Sequence, residues 1–198
     1  MGQRVVISST QVGLIVRGMD HPGHDPSVLA QHADCILPDG SPIGFFGQGP
    51  AYTGERSGSG SSMNLGVNMH GVVIDHQALS AQRPWYVDAR MAKANVVRST
   101  VIIIDVGAAA AARFNEAWRL KTLNPGGFSM LGNNCSTNAS GAFVDAGILS
   151  VGIPGLDTPV HLFQQLRSLR PNKTTVYSGY VGFDKRADGK PGFDLIVE

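Results

Sequence analysis

The sequence predicts an α+β fold, an antiparallel sheet packed against a helix that carries a cysteine. Three observations lead there. Short β-branched runs crowd the first half of the chain, and Asp39-Gly40 between two of them is a strong hairpin signal. The clearest helical patterns come later, at 108–123 and 157–169. Between them, Gly132-Asn133-Asn134-Cys135 leads into Ala139, Ala142, Phe143 and Ala146 at helical spacing, with Gly147 where a helix stops.

In chain order, residues 5–8 and 12–16 read as strands, and 18–26 as a loop rich in Gly, Pro, His and Asp. Residues 29–37 form the next strand and 43–46 its hairpin return. The Gly/Ser-rich stretch 48–68 reads as a surface loop or flap. Strands follow at 72–75, 85–88 and 96–106, the last with a near-continuous apolar end expected of a central strand. His70 and His76 flank the first of these as loop residues. The helix at 108–123 opens on an alanine run, carries Phe114 and Trp118 on one face and ends before Asn124-Pro125-Gly126-Gly127. The helix at 157–169 has Pro159 in its first turn and Leu162, Phe163, Leu166 and Leu169 on one side. A strand at 174–183 and a turn-plus-tail from 187 to 198 complete a single domain over residues 1–198.

Composition narrows the function. A chain of 198 residues, 42% hydrophobic and 16% charged, can build one sizeable core. A net charge of +1 gives no electrostatic reason to expect nucleic acid or an anionic membrane as partner. The apolar run 101–106 is far too short for a membrane span. Two cysteines, Cys35 and Cys135, make no disulfide framework. The N-terminus lacks the apolar core of a signal peptide, so the expectation is synthesis in the cytoplasm without one.

Chemistry concentrates in two places. A cysteine in the first turn of a helix meets unpaired N–H groups and the positive end of the helix dipole, which favour the nucleophilic thiolate. On the strand 29–37, His32 and Asp34 share one face with Ile36, while Ala33, Cys35 and Leu37 take the other. Two polar groups on a face that should be apolar require a reason. Elsewhere, His21 and His24 with Asp20 and Asp25 have the residue types of a divalent-ion site, but no further ligands follow at zinc-site spacing, so a polar turn is the simpler expectation. Gly58-Ser59-Gly60-Ser61-Ser62 lacks the lysine of a phosphate loop. No cofactor is expected.

A thiol hydrolase needs a thiolate, an imidazole to shuttle the proton and a group to orient the imidazole. The stretch from His32 through Pro38-Asp39-Gly40 resembles the histidine hairpin of circularly permuted NlpC/P60-type, papain-like cysteine hydrolases. Leu131-Gly132-Asn133-Asn134-Cys135-Ser136-Thr137, with the alanine-rich helix after it, resembles the Asn-Cys helix of the same group. The group includes cell-wall amidases, lecithin:retinol acyltransferase-like enzymes and some type VI secretion effectors. The resemblance implies a permuted papain-like fold, with Cys135 as nucleophile and His32 as base. For the third residue the family often uses a polar group on the following strand, but here that strand reads Ile43-Gly44-Phe45-Phe46. Asp34, which shares the His32 face, is favoured. Gln48 remains open, since a three-residue hairpin loop would set it opposite His32 and a two-residue loop would set Gly47 there. The oxyanion donor would be the Cys135 backbone N–H.

The function implied is cleavage of an amide bond in peptidoglycan peptides. With no signal peptide expected, that fits an antibacterial effector carried by secretion machinery into the periplasm of a target cell and restrained by an immunity protein. Two other expectations stand beside it: lipid acyl hydrolysis or transfer, as in the acyltransferase branch, and a non-enzymatic binding module in which Cys135 is buried.

Overall fold

The computed structural model describes residues 2–27, 30–48, 69–129, 132–150, 158–169 and 171–198. The architecture is α+β. Among the described residues the elements are β1 (Gln3–Val5), β2 (Gln11–Arg17), β3 (His32–Ile36), β4 (Pro42–Gln48), β5 (Met69–Asp75), α1 (His76–Gln82), α2 (Ala89–Ala94), β6 (Arg98–Asp105), α3 (Ala108–Leu123), β7 (Gly127–Phe128), α4 (Cys135–Asp145), α5 (Pro159–Leu169), β8 (Thr174–Lys185) and β9 (Phe193–Val197). The strands form one antiparallel sheet of nine in the order β1-β9-β8-β6-β2-β3-β4-β5-β7.

Strands β2 and β6 sit in the middle, and their alternating side chains supply both faces. Val12, Leu14, Val16, Ile102 and Ile104 pack with α3, α4 and α5 through Phe114, Trp118, Phe143, Leu162 and Phe163. Ile15, Val101 and Ile103 turn the other way and pack with Leu79 of α1, Tyr86, Val87 and residues of β8 and β9. The sheet is therefore buried on both faces across its centre, which is why these strands read as continuous apolar runs rather than alternating ones.

Several expectations need correction. Residues 85–88 are not a strand: Pro84–Tyr86 is a 3₁₀ turn, and the Asp88 carboxylate caps α2 by accepting from the Arg90 and Met91 N–H groups at 2.8 and 3.1 Å. His70 and His76 are not loop residues, since His70 lies in β5 and His76 opens α1 behind the Asp75 cap. The stretch expected as a tail contains β9, which pairs with both β1 and β8. Its charged Asp194 masked the alternation of Phe193, Leu195 and Val197, but Asp194 is buried and bound to Arg4 at 2.8 Å. The first strand is Gln3–Val5 rather than 5–8, and β7 was not expected at all. The 48–68 loop lies outside the described residues except for Gln48, which ends β4. Residues 28–29, at the start of the expected third strand, and 151–157, which include the first position of the expected 157–169 helix, also lie outside them.

Hairpin register decides what faces the histidine. The turn is Pro38–Gly40, closed by the Leu37 N–H donating to the Ser41 carbonyl at 2.9 Å, with Gly40 at φ 86°. It begins one residue before the Asp39-Gly40 signal, so Asp34 pairs with Gly44 and Cys35 with Ile43. By that register the residue across from His32 is Phe46. Gln48 instead pairs with His70 of β5, at an exposed end of the sheet.

Candidate active site

The nucleophile candidate is presented by a well-anchored helix start. Cys135 is the first residue of α4 and is partly exposed, whereas Cys35 is buried. Asn134 is the N-cap, its side-chain carbonyl accepting from the Thr137 N–H at 3.0 Å and from the Thr137 hydroxyl at 3.2 Å. Asn138 reaches back to the Asn133 side chain at 2.8 Å and the Asn134 carbonyl at 2.7 Å, and the Asn133 side-chain amide donates to the Gly127 carbonyl. Three asparagines thus fix the chain just before the cysteine. The other end of the helix is held by Arg113, whose guanidinium donates twice to the Ala146 carbonyl.

The histidine comes from the opposite side of the sheet. His32 opens β3, and its ring stacks on Phe46 at 4.3 Å between centroids and more loosely on Tyr86 at 5.9 Å. Gln31 just before it ties the strand start to α5, its side-chain carbonyl accepting from the Val160 N–H. His32 Nε2 lies 2.8 Å from Asp34 Oδ1. That leaves Nδ1 for the Cys135 thiol, with which the imidazole also shares a hydrogen bond. The β3–β4 ladder ends at the Asp34–Gly44 pair, and just beyond it the Ala33 N–H donates to the Cys135 sulfur. Cys135, His32 and Asp34 therefore form one connected chain of hydrogen bonds.

Asp34 is fully buried and carries a second partner. Its Oδ2 accepts from Arg17 Nε at 2.9 Å, and Arg17 Nη2 donates to the Tyr86 carbonyl at 2.9 Å. The guanidinium lies 4.5 Å over the Tyr86 ring. Space for the carboxylate exists because Gly44 lies opposite: a Cβ there would stand 2.2 Å from Asp34 Oδ1 and 2.8 Å from Phe46 Cε2. This glycine explains the absence of a polar residue on the strand after the histidine. The carboxylate beside His32 comes from the histidine's own strand, two residues on, and fills the space that a cross-strand side chain would need.

The electrostatics follow from these contacts. Burial alone would push the His32 imidazole down, but the Cys135 thiolate and the Asp34 carboxylate outweigh it and hold it well above its ordinary value. Burial pushes the Cys135 thiol up, but the His32 charge, the His32 hydrogen bond and the Ala33 N–H bring it below the ordinary thiol value. Burial would also raise Asp34, yet His32 and Arg17 hold it below the usual carboxylate range. Cys35 lacks a cationic partner: burial pushes its thiol well up and the Asp34 charge adds to that, against a smaller pull from Trp118. The two cysteines are thus driven in opposite directions, the Cys135 thiol below its ordinary value and the Cys35 thiol well above it.

Sequence reasoning missed Arg17, Gly44, Phe46 and Tyr86. A signal existed for the first. Arg17 is the charge that closes the apolar run 12–16, and its parity in an antiparallel pair with β3 puts it directly across from His32. In the loop before β3, the Nδ1 atoms of His21 and His24 accept backbone N–H groups of Gly23 and Asp20. Among the described residues no group of three or more His, Cys, Asp or Glu side chains is placed to hold a metal ion. Comparison with protein-family models, with curated proteins and with solved structures returns no match to this chain.

Proposed function

We propose that the protein is a cysteine hydrolase that cleaves an amide bond through a thioester intermediate. The observation that carries this reading is the connected Cys135–His32–Asp34 contact, with the thiol lowered and the imidazole raised from their ordinary values. In the first half-reaction the Cys135 thiolate adds to the carbonyl carbon of the scissile amide. The oxyanion formed is met by the Cys135 backbone N–H, at the open N-terminus of α4. The imidazolium of His32 gives its proton to the departing amine, and the C–N bond breaks to leave an acyl-thioester. Neutral His32 then takes a proton from water, whose hydroxyl attacks the thioester. The carboxylic acid leaves and the thiolate–imidazolium pair is restored. Asp34 holds the ring with Nδ1 toward the sulfur throughout.

The short motifs around His32 and Cys135 resemble those of permuted NlpC/P60-type hydrolases, which makes a peptide of the bacterial cell wall the favoured substrate and a permuted papain-like fold the favoured architecture. On the same reading the protein acts in the periplasm of a target cell, with delivery machinery and an immunity protein as partners. The test is incubation of the protein with purified peptidoglycan fragments, followed by mass spectrometry, with Cys135→Ala as the control. Hydrolysed stem peptides with the active chain alone are expected. Intact peptides, together with fatty acid released from phospholipid, would replace this reading with acyl hydrolysis. Slow alkylation of Cys135 at neutral pH would replace it with a binding module.

A further inference from the structure

Arg17 is 2% exposed and Asp34 is fully buried. Such a pair needs a reason beyond stability, because removing two charges from water costs about as much as their attraction returns. The residues around them could be filled by apolar side chains, as the rest of this face is. An apolar pair could not hold a carboxylate against His32. We propose that Arg17, which sits behind Asp34, is the positioning residue of the site: its guanidinium fixes the Asp34 carboxylate against the His32 ring and balances its charge. This inference rests on the hydrolase reading.

Geometry supports the first role. Arg17 holds Asp34 Oδ2 and leaves Oδ1 to His32, so the carboxylate cannot rotate without losing one partner. The guanidinium is itself fixed by the Tyr86 carbonyl and by the Tyr86 ring beneath it. Charge counting supports the second. The charged or titratable groups gathered here are Arg17 from β2, His32 and Asp34 from β3, Cys135 from α4, and Arg83, whose guanidinium lies 4.8 Å over the Phe46 ring. Cys35 faces the other side of β3 and stays a neutral thiol. The directly bonded four are Arg17, Asp34, His32 and Cys135. With Arg17 present, two cations balance a carboxylate and a thiolate. Without it, the buried chain would carry an excess negative charge, and the cheapest way to remove that charge is to protonate the sulfur.

The test measures the pH dependence of Cys135 alkylation by iodoacetamide, followed at the Cys135 peptide by mass spectrometry. Arg17→Met should slow alkylation at pH 7 by tenfold or more, since each unit of lost thiol acidity lowers the thiolate fraction about tenfold. Arg17→Lys keeps the charge and should retain most of the wild-type rate. Arg17→Met combined with Asp34→Asn, which already lacks the carboxylate that Arg17 holds, should be no slower than Asp34→Asn alone. If Arg17→Met does not fold, Arg17→Gln, which can still donate to Asp34 without a charge, takes its place. A wild-type profile in Arg17→Met or Arg17→Gln overturns the positioning role and leaves the hydrolase reading standing. A double variant clearly slower than Asp34→Asn alone also overturns it, because Arg17 would then act by a route other than Asp34. Ordinary thiol reactivity in the wild-type chain defeats the hydrolase reading itself.

Discussion

Gly44→Ala tests the site through a residue with no side chain of its own. The added methyl would stand 2.2 Å from Asp34 Oδ1, and ordinary contact begins at about 3.4 Å, so the carboxylate must retreat by roughly 1 Å. The same methyl presses on Phe46 at 2.8 Å, the ring on which His32 stacks. Neither group can yield freely, because Arg17 holds the other carboxylate oxygen. The 2.8 Å contact between His32 and Asp34 therefore lengthens beyond hydrogen-bonding range. A hydrogen bond between charged groups contributes about 1.5–3 kcal/mol, which corresponds to a fall in kcat/KM of roughly 10- to 100-fold. Overpacking costs about 1–3 kcal/mol of stability as well, or a Tm lower by roughly 2–10 °C for a domain of this size. The assay pairs turnover on peptidoglycan fragments with thermal unfolding. Ile104→Val, a core change remote from the site and costing about 0.5–1.5 kcal/mol, reports what destabilisation alone does to turnover. Full activity in a folded Gly44→Ala protein would refute the argument that this glycine makes room for the orienting carboxylate.

Other changes separate the roles further. Cys135→Ala and His32→Ala should each abolish turnover while circular dichroism stays native, since one removes the covalent step and the other the proton shuttle. Asp34→Asn should lower kcat by about 10²–10⁴, by comparison with other triads, whereas Gln48→Ala should match wild type because Gln48 pairs away from His32; a crippled Gln48→Ala would reverse that assignment. The pH profile should be a bell. Its acid limb marks protonation of the thiolate at a pH below the ordinary thiol value, and its alkaline limb marks loss of the His32 proton above the ordinary imidazole value. In Asp34→Asn the alkaline limb should move toward lower pH, because one of the two anions that raise His32 is gone. Stability has matching signs. The raised His32 contributes fully below about pH 6.5 and loses its contribution as pH rises through its folded value. Asp34, lowered in the fold, contributes above about pH 3.9 and loses it as pH falls through its folded value. Urea unfolding across pH would show both trends, and a flat profile would contradict them.

Much of this arrangement was legible in the sequence where local chemistry and pattern agree. The bounds of α3 follow from an alanine run and a Pro-Gly stop, and the start of α4 from the asparagines before Cys135. The facing of His32 and Asp34 follows from strand alternation alone. What failed depended on partners distant in sequence. Strand β9 is hidden by Asp194, a buried charge held by Arg4 from the far end of the chain and by the Ala187 N–H. Hairpin register turned on where the three-residue loop begins: starting at Pro38 rather than Asp39, it sets Phe46, not Gln48 or Gly47, opposite the histidine. Arg17 and Gly44 look ordinary in isolation, one closing a strand and the other weakening one. Their meaning appears only when β2, β3 and β4 are laid side by side.

The two halves of the site belong to different cores. Cys135 packs with the α3–α4–α5 side of the sheet, through Ala33, Ala139 and their neighbours. Phe46, which stacks on His32, and Tyr86, which contacts both His32 and Arg17, belong to the side covered by α1 and the 3₁₀ turn. Cys135 and His32 meet at the first residue of β3, where the end of the β3–β4 ladder leaves the Ala33 N–H to the sulfur. The contact between Cys135 and His32 therefore requires both layers to be packed on the sheet at once. With either layer loosened, the His32 and Ala33 contacts that lower the Cys135 thiol would be lost. On the proposed reading, the alkylation rate of Cys135 should therefore report on the integrity of both cores together.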